Sequence, residues 1–142
     1  MRQIDAQLES LKSATIMLVD DEPTTINVVE MFLQGEGYTN IITTTDSRRA
    51  LELLAAKGAD VLLLDLNMPH VCGFEILASI RGDERFKYIP VIILTSSTDA
   101  EMKLKALELG ATDFLSKPVD SSELALRLRN TLSAKAYQDR LT

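Results

Sequence analysis

The sequence predicts an α/β fold: a parallel sheet, doubly wound, with helices on both faces. Two observations carry this. Three short runs, Ile16-Met17-Leu18-Val19, Val61-Leu62-Leu63-Leu64 and Val91-Ile92-Ile93-Leu94, are apolar without alternation and rich in branched aliphatics. Strands covered on both faces read that way. Helix-length segments with 3.6-residue apolar spacing separate them, and strands alternating with such helices call for parallel pairing through right-handed crossovers.

The first strand is Ile16–Val19, and Ile26, Val29 and Leu33 mark the first helix, stopped by Gly35 and Gly37. Residues Asn40 to Thr45 are Thr-rich and half polar, as suits an edge strand. A second helix opens at Asp46, carries Ala50, Leu51 and Leu54, and closes at Gly58. After the central strand at Val61–Leu64, the residues Phe74, Leu77 and Ile80 mark a third helix ending near Gly82. After Val91–Leu94, Thr98-x-x-Glu101 reads as a capping box, opening a fourth helix through Leu104 and Leu107 to Gly110. The last strand is Thr112–Ser116. The last helix opens at Asp120, with Glu123 three residues on, and carries Leu124, Leu128 and Leu132.

With 142 residues, 46% hydrophobic and 25% charged, the chain has the size of one domain able to bury a core of its own. A net charge of -6 argues against nucleic-acid binding through this domain. No apolar run approaches the ~18 residues of a membrane span. The amino terminus has no signal-peptide core, and the one cysteine, Cys72, suits a reducing compartment; a cytoplasmic location without membrane contact is expected. One histidine and one cysteine cannot build a structural zinc site.

The polar residues that follow the strands share one sheet edge. Val19 precedes Asp20 and Asp21, Leu64 precedes Asp65, Leu94 precedes Thr95, and Ser116 precedes Lys117. Ligand sites of open α/β sheets form at this carboxyl edge. Crowded acids raise the cost of ionising all of them, a cost that a hard divalent cation with oxygen ligands relieves. Phosphoryl transfer to a carboxylate would use each group: Asp65 as nucleophile, Lys117 as a mobile point charge and Thr95 as a hydrogen-bond donor.

Asp20-Asp21, the run Asp65-Leu66-Asn67-Met68-Pro69-His70-Val71-Cys72-Gly73, Thr95-Ser96 and Lys117-Pro118 resemble the motifs of bacterial two-component response-regulator receiver domains, in order and spacing, over residues 14–134. The resemblance implies a flavodoxin-like (βα)5 sandwich with strand order 2-1-3-4-5. It implies Asp65 as the acceptor of a phosphoryl group from a sensor histidine kinase or phosphotransfer protein. It also implies Mg²⁺ (or Mn²⁺) held by Asp20, Asp21, Asp65 and the backbone carbonyl of Asn67, with Asp20 acting mostly through water. Thr95 and Lys117 would sense the phosphoryl group, the Lys117-Pro118 peptide would be cis, and Thr95 with Phe114 would form the switch. Phe114 stands where many receivers carry tyrosine, so any inward rotation is driven by packing alone. Asn67 and Ser97 resemble positions that tune acyl-phosphate lifetime; His70 and Cys72 read as structural or exposed.

Two rivals follow from the same residues. A haloacid-dehalogenase-type phosphatase needs a general acid two residues after its nucleophile, where this chain has Asn67. A receiver that is never phosphorylated, acting as an interaction module, usually loses an acid or the lysine, and this chain keeps all of them. The expected assignment is therefore a switch that catalyses its own phosphorylation and dephosphorylation and is not otherwise an enzyme. Residues 1–13 read as an extension with Ile4, Leu8 and Leu11 at helical spacing, and residues 135–142 as a continuing helix or the start of a linker. The stretch 129–141 resembles the linker helix between a receiver and a diguanylate cyclase output domain. A homodimer contact through Leu128 and Leu132 is expected.

Overall fold

The computed structural model describes residues 10–96 and 99–141. Five strands alternate with five helices: β1 (Thr15–Val19), α1 (Pro23–Gly35), β2 (Asn40–Thr44), α2 (Ala50–Lys57), β3 (Val61–Asp65), α3 (Gly73–Arg81), β4 (Val91–Thr95), α4 (Ala100–Glu108), β5 (Asp113–Ser116) and α5 (Ser121–Leu141). A short 3₁₀ turn, Ser47–Arg49, leads into α2. All pairings are parallel and the order is β2-β1-β3-β4-β5, so the half-polar β2 lies at an edge. Among the described residues no helix is long and apolar enough to cross a membrane.

Successive strand residues point to opposite faces, and the apolar runs therefore feed two cores. Met17, Val19, Leu62, Leu64, Val91 and Ile93 meet Leu54 of α2, Ile76, Leu77 and Ile80 of α3, and Ala106 of α4. On the other face Ile16, Leu18, Leu63, Ile92 and Leu94 meet Ile26, Val29 and Leu33 of α1 and Leu124, Leu128 and Leu132 of α5. A strand buried on both sides has no polar face to show, which is why these runs do not alternate.

Helix starts follow local chemistry. Glu22 precedes Pro23, which suits the first helical position because its missing N–H would have no partner there. The Asp46 carboxylate accepts the Arg48 amide, and the Asp120 carboxylate accepts the Glu123 amide at 2.9 Å. At α4 the capping residue is Asp99, which accepts the Glu101 amide at 2.9 Å. Thr98, the residue expected there, lies outside the described residues, as do Ser97, Ile4 and Leu8. Leu11 is partly buried against the core beside α1 and α5.

Three expectations drawn from apolar spacing fail. Leu104 and Leu107 are 57% and 51% exposed, and α4 buries Ala106 instead; Leu51 also faces outward. Leu128 and Leu132 are 0% and 3% exposed, so they belong to the core and cannot form a homodimer contact. Core residues and exposed apolar residues share the same helical period, and only the packing partner tells them apart. Helix α5 runs unbroken across residues 134 and 135, as the absence of Gly or Pro there implies. Past Leu132 it leaves the core, and Tyr137 is exposed. Its Lys135 ammonium lies 3.7 Å from Asp60, whose other oxygen accepts the Thr15 amide at 2.7 Å.

The edge opposite the strand carboxyl ends is closed by Arg81. Its guanidinium donates to the carbonyls of Gly110 (2.9 and 2.8 Å), Ile89 (2.6 Å) and Lys87 (3.1 Å), joining the end of α3 to two connections. Gly110 has φ 102°, and a Cβ there would lie 2.8 Å from the Arg81 side chain, so this approach requires glycine. Arg81→Ala should destabilise the domain by about 2–3 kcal/mol, because three carbonyls lose a charged donor. Arg81→Lys should recover only part of that, since an ammonium lacks the planar fork. Urea denaturation of the three proteins checks both expectations; three coincident curves would show that water replaces the guanidinium without loss.

Candidate functional site

The carboxyl ends of β1, β3, β4 and β5 bring Asp20, Asp21, Asp65, Thr95 and Lys117 together. Strand register does most of the positioning. Val19 stands opposite Leu64, Asp65 opposite Leu94 and Thr95 opposite Ser116, so the ends of neighbouring strands lie within one residue of each other. Asp20 and Asp65 are 0% and 3% exposed, Thr95 is buried, Asp21 is half-buried and Glu22 is exposed.

The Lys117 ammonium is the centre of the cluster. It lies 2.8 Å from Asp20 Oδ2, 3.2 Å from Glu22 Oε1 and 3.3 Å from Asp65 Oδ2. Its own amide donates to the Thr95 carbonyl at 2.9 Å, which fixes the start of the loop, and the Lys117-Pro118 peptide is cis. Burial alone would lower the lysine's pKa, but its close contact with the Asp20 carboxylate and the charge of Asp65 raise it above the usual value. The opposite happens to Asp65. Burial, then the charge of Asp20, push its carboxyl up to about 6, against the smaller opposing effect of Lys117.

Backbone amides orient the acids. Asp20 Oδ1 accepts the Glu22 amide at 2.9 Å, and Asp65 Oδ1 accepts the Asn67 amide at 3.2 Å. Asp20 Oδ2 is fully buried and takes no well-angled hydrogen bond, so its contact with the ammonium is ionic and a lone pair stays unused. Ligand oxygens of Asp20, Asp21, Glu22 and Asp65 can lie within 4.8 Å of one another. Four carboxylates around one ammonium, with a buried oxygen that keeps an unused lone pair, fit a hard divalent cation in an all-oxygen shell. Asn67 follows Asp65 by two residues and is exposed, with its backbone in the same loop.

Gly73 sits where α3 meets this loop. A Cβ at that position would lie 2.7 Å from Leu66 Cα and would collide with the Asp65 carbonyl, so the loop after the central acid closes only over glycine. Phe114 is half-buried against the core beneath α4 and stands opposite Ile93, two residues before Thr95. His70 is exposed and Cys72 is half-buried at the start of α3.

A family model for the response regulator receiver domain matches residues 16–129. The chain belongs to this family. A probable cyclic di-GMP phosphodiesterase of Vibrio cholerae serotype O1 is 34% identical over 138 residues, covering 97% of this receiver's chain and 31% of its own. The response regulator PleD of Caulobacter vibrioides is 34% identical over 129 residues, 91% of this chain and 28% of that one. A crystal structure of a putative response regulator from Chloroflexus aurantiacus superposes with a TM-score of 0.81 at 30% identity, covering 85% of this chain and 98% of the other. Against curated relatives the chain spans between 28% and 55% of their length. Receivers of this family serve phosphorylation-dependent two-component signalling, work with histidine kinases or phosphotransfer proteins, and bind Mg²⁺ at an acidic pocket of this kind.

Two residues of this region escape sequence reasoning. Glu22 reaches Lys117 across the site; its signal was the third acid of the run Asp20-Asp21-Glu22. Ser47 contacts the loop after Asp65 from another connection, and nothing in the local sequence announces a partner more than twenty residues away.

The raised pKa has a measurable consequence. Asp65 is protonated more readily in the folded chain than in the unfolded one, so its contribution to stability is full below about pH 4 and is lost as pH rises through about 6. In metal-free buffer at pH 7, Asp65→Asn should therefore be more stable than wild type by about 2–3 kcal/mol, with the gap closing below pH 4. Mg²⁺ should narrow the gap at pH 7 by stabilising wild type. Denaturant titrations with EDTA across this pH range test it, and a gap that does not change with pH would remove Asp65 as its cause.

Proposed function

We propose that this receiver accepts a phosphoryl group on Asp65 from the phosphohistidine of a sensor histidine kinase or phosphotransfer protein, and relays the change to an output domain or partner. The observation that carries this reading is the buried Asp65 carboxylate, pushed up to about 6 and set 3.3 Å from the Lys117 ammonium amid further acids. An acid of this pKa is ionised at neutral pH yet more basic than an ordinary carboxylate, which suits a nucleophile.

In the transfer, an Asp65 oxygen bonds to phosphorus as the donor's P–N bond breaks; the imidazole leaves with the electron pair and takes up a proton, and the product is an acyl phosphate. Asp20, Asp21, Asp65 and the Asn67 carbonyl would hold Mg²⁺ or Mn²⁺, which when bound offsets the repulsion between carboxylate and incoming phosphoryl oxygens. Lys117 would exchange part of its contact with Asp65 for a phosphoryl oxygen. The Thr95 hydroxyl would donate to another, and Phe114, lacking a hydroxyl of its own, would follow by packing. The chain thus catalyses its own phosphorylation and dephosphorylation and acts on no other substrate, in the cytoplasm.

Output on this reading passes along α5, which among the described residues continues beyond the core. The similarity to a probable cyclic di-GMP phosphodiesterase supports an output domain of cyclic-dinucleotide metabolism. A homodimer would use the outward side of α5, with Leu126 and Tyr137, since Leu128 and Leu132 are committed to the core.

Incubation with acetyl phosphate and Mg²⁺ should add one phosphoryl group, about 80 Da by intact-mass spectrometry. EDTA and Asp65→Asn should each abolish the gain. No gain under any condition would favour an interaction module that is never phosphorylated. Separately, Asp21→Ala should lose Mn²⁺ binding in calorimetric titration while keeping its far-ultraviolet circular dichroism; unchanged affinity would mean that the cation sits elsewhere.

A further inference from the structure

One side chain from the β2–α2 connection hydrogen-bonds the loop between Asp65 and α3 at two points. Ser47 Oγ donates to the Pro69 carbonyl at 2.7 Å and accepts the Val71 amide at 3.2 Å. Between those two residues stands His70 with φ 70°, in the left-handed region that a residue with a Cβ enters only at a cost. A hydroxyl that takes up both the carbonyl before His70 and the amide after it offsets that cost and leaves the turn one geometry.

The hydroxyl is itself rigidly presented. Ser47 is 4% exposed. The Asp46 carboxylate next to it accepts the Arg48 amide at 3.0 Å and the Arg48 guanidinium at 3.0 and 3.1 Å, and Thr44 Oγ1 accepts the Asp46 amide at 3.1 Å. The loop's other supports are the Asn67 amide on Asp65 Oδ1, Met68 in the core and Gly73 wedged under Leu66. Val71 also packs, half-buried, against the core, but among the described residues Ser47 alone is shown hydrogen-bonding Pro69 and Val71 to another element. It also shares a cavity of about 280 Å³ with Asp21 and His70, so the clamp and a candidate metal carboxylate line the same space.

We propose that Ser47 is a positioning residue of the phosphoryl-transfer site: by clamping the Pro69–Val71 turn it fixes the loop that carries the Asn67 carbonyl beside Asp65 and Asp21, and so sets the affinity for the divalent cation. This rests on the reading of Asp65 and its neighbours as the cation-dependent phosphoacceptor site. Groups that orient metal ligands without touching the metal are often worth 10- to 100-fold in affinity. A clamp on a backbone carbonyl belongs near the lower end.

The test compares wild type, Ser47→Ala and Ser47→Thr, which keeps the hydroxyl. In metal-free protein, amide exchange followed by NMR should show Val71 losing protection in Ser47→Ala and keeping it in Ser47→Thr. Calorimetric titration with Mn²⁺ should show the dissociation constant rising about tenfold in Ser47→Ala and staying near wild type in Ser47→Thr. A Val71 amide that opens while Mn²⁺ affinity is unchanged would reduce Ser47 to a structural role and overturn the proposal. Equal loss of affinity in both variants would do the same, because the hydroxyl would then be irrelevant. Should Ser47→Ala not fold, Ser47→Cys keeps the volume, weakens both bonds and carries the same expectation. Wild type that binds Mn²⁺ but gains no phosphoryl group from acetyl phosphate would sink the phosphoacceptor reading alone, since the clamp is judged by the Mn²⁺ constants.

Discussion

Three carboxylates share one ammonium at the carboxyl edge of the sheet with a fourth, Asp21, beside them, and the rest of the structure is arranged around that imbalance. Asp20 and Asp65 are buried, where repulsion between like charges is least screened, and Lys117 relieves it only in part. The domain tolerates this because the carboxylates hang from the middle of a sheet whose two cores hold β1 and β3 without polar gaps. A site of unrelieved charge needs a rigid support, since a softer scaffold would let the acids spread into water and Asp65 lose its raised basicity.

The supports lie at two distances. Within the site, backbone amides two residues on, at Glu22 and Asn67, each hold one oxygen of Asp20 and Asp65, leaving the other oxygens facing Lys117. Farther out, Gly73 lets α3 press against the loop, and Ser47 reaches in from the β2–α2 connection to clamp it. Chemistry and scaffold are thus joined by the strand ends, where one residue belongs to the ladder and the next to the site.

The opposite end of the molecule is held together by two cations. Arg81 locks the α3–β4 and α4–β5 connections together, and Lys135 ties the emerging α5 to Asp60 at the foot of the sheet. Beyond that tie α5 carries exposed Tyr137 away from the core. A shift of α4 or β5 would have to reach that helix through packing, because Leu124, Leu128 and Leu132 seat α5 on the same sheet that holds the acids.

The strands, the strand-end acids, Thr95 and Lys117 were legible in the sequence, because apolar runs and their flanking polar residues are local patterns governed by burial on both faces. The facing of helices was not. Leu107 and Leu128 have the same side chain in the same kind of helix, yet one is half exposed and the other fully buried, since burial depends on what lies opposite. Nor could the sequence reveal that Glu22 reaches Lys117 or that Ser47 clamps Pro69 and Val71. Those contacts join residues far apart along the chain, and the crossover geometry of the folded sheet brings them together. One-dimensional spacing determined which residues end the strands; three-dimensional packing decided which of their neighbours hold them in place.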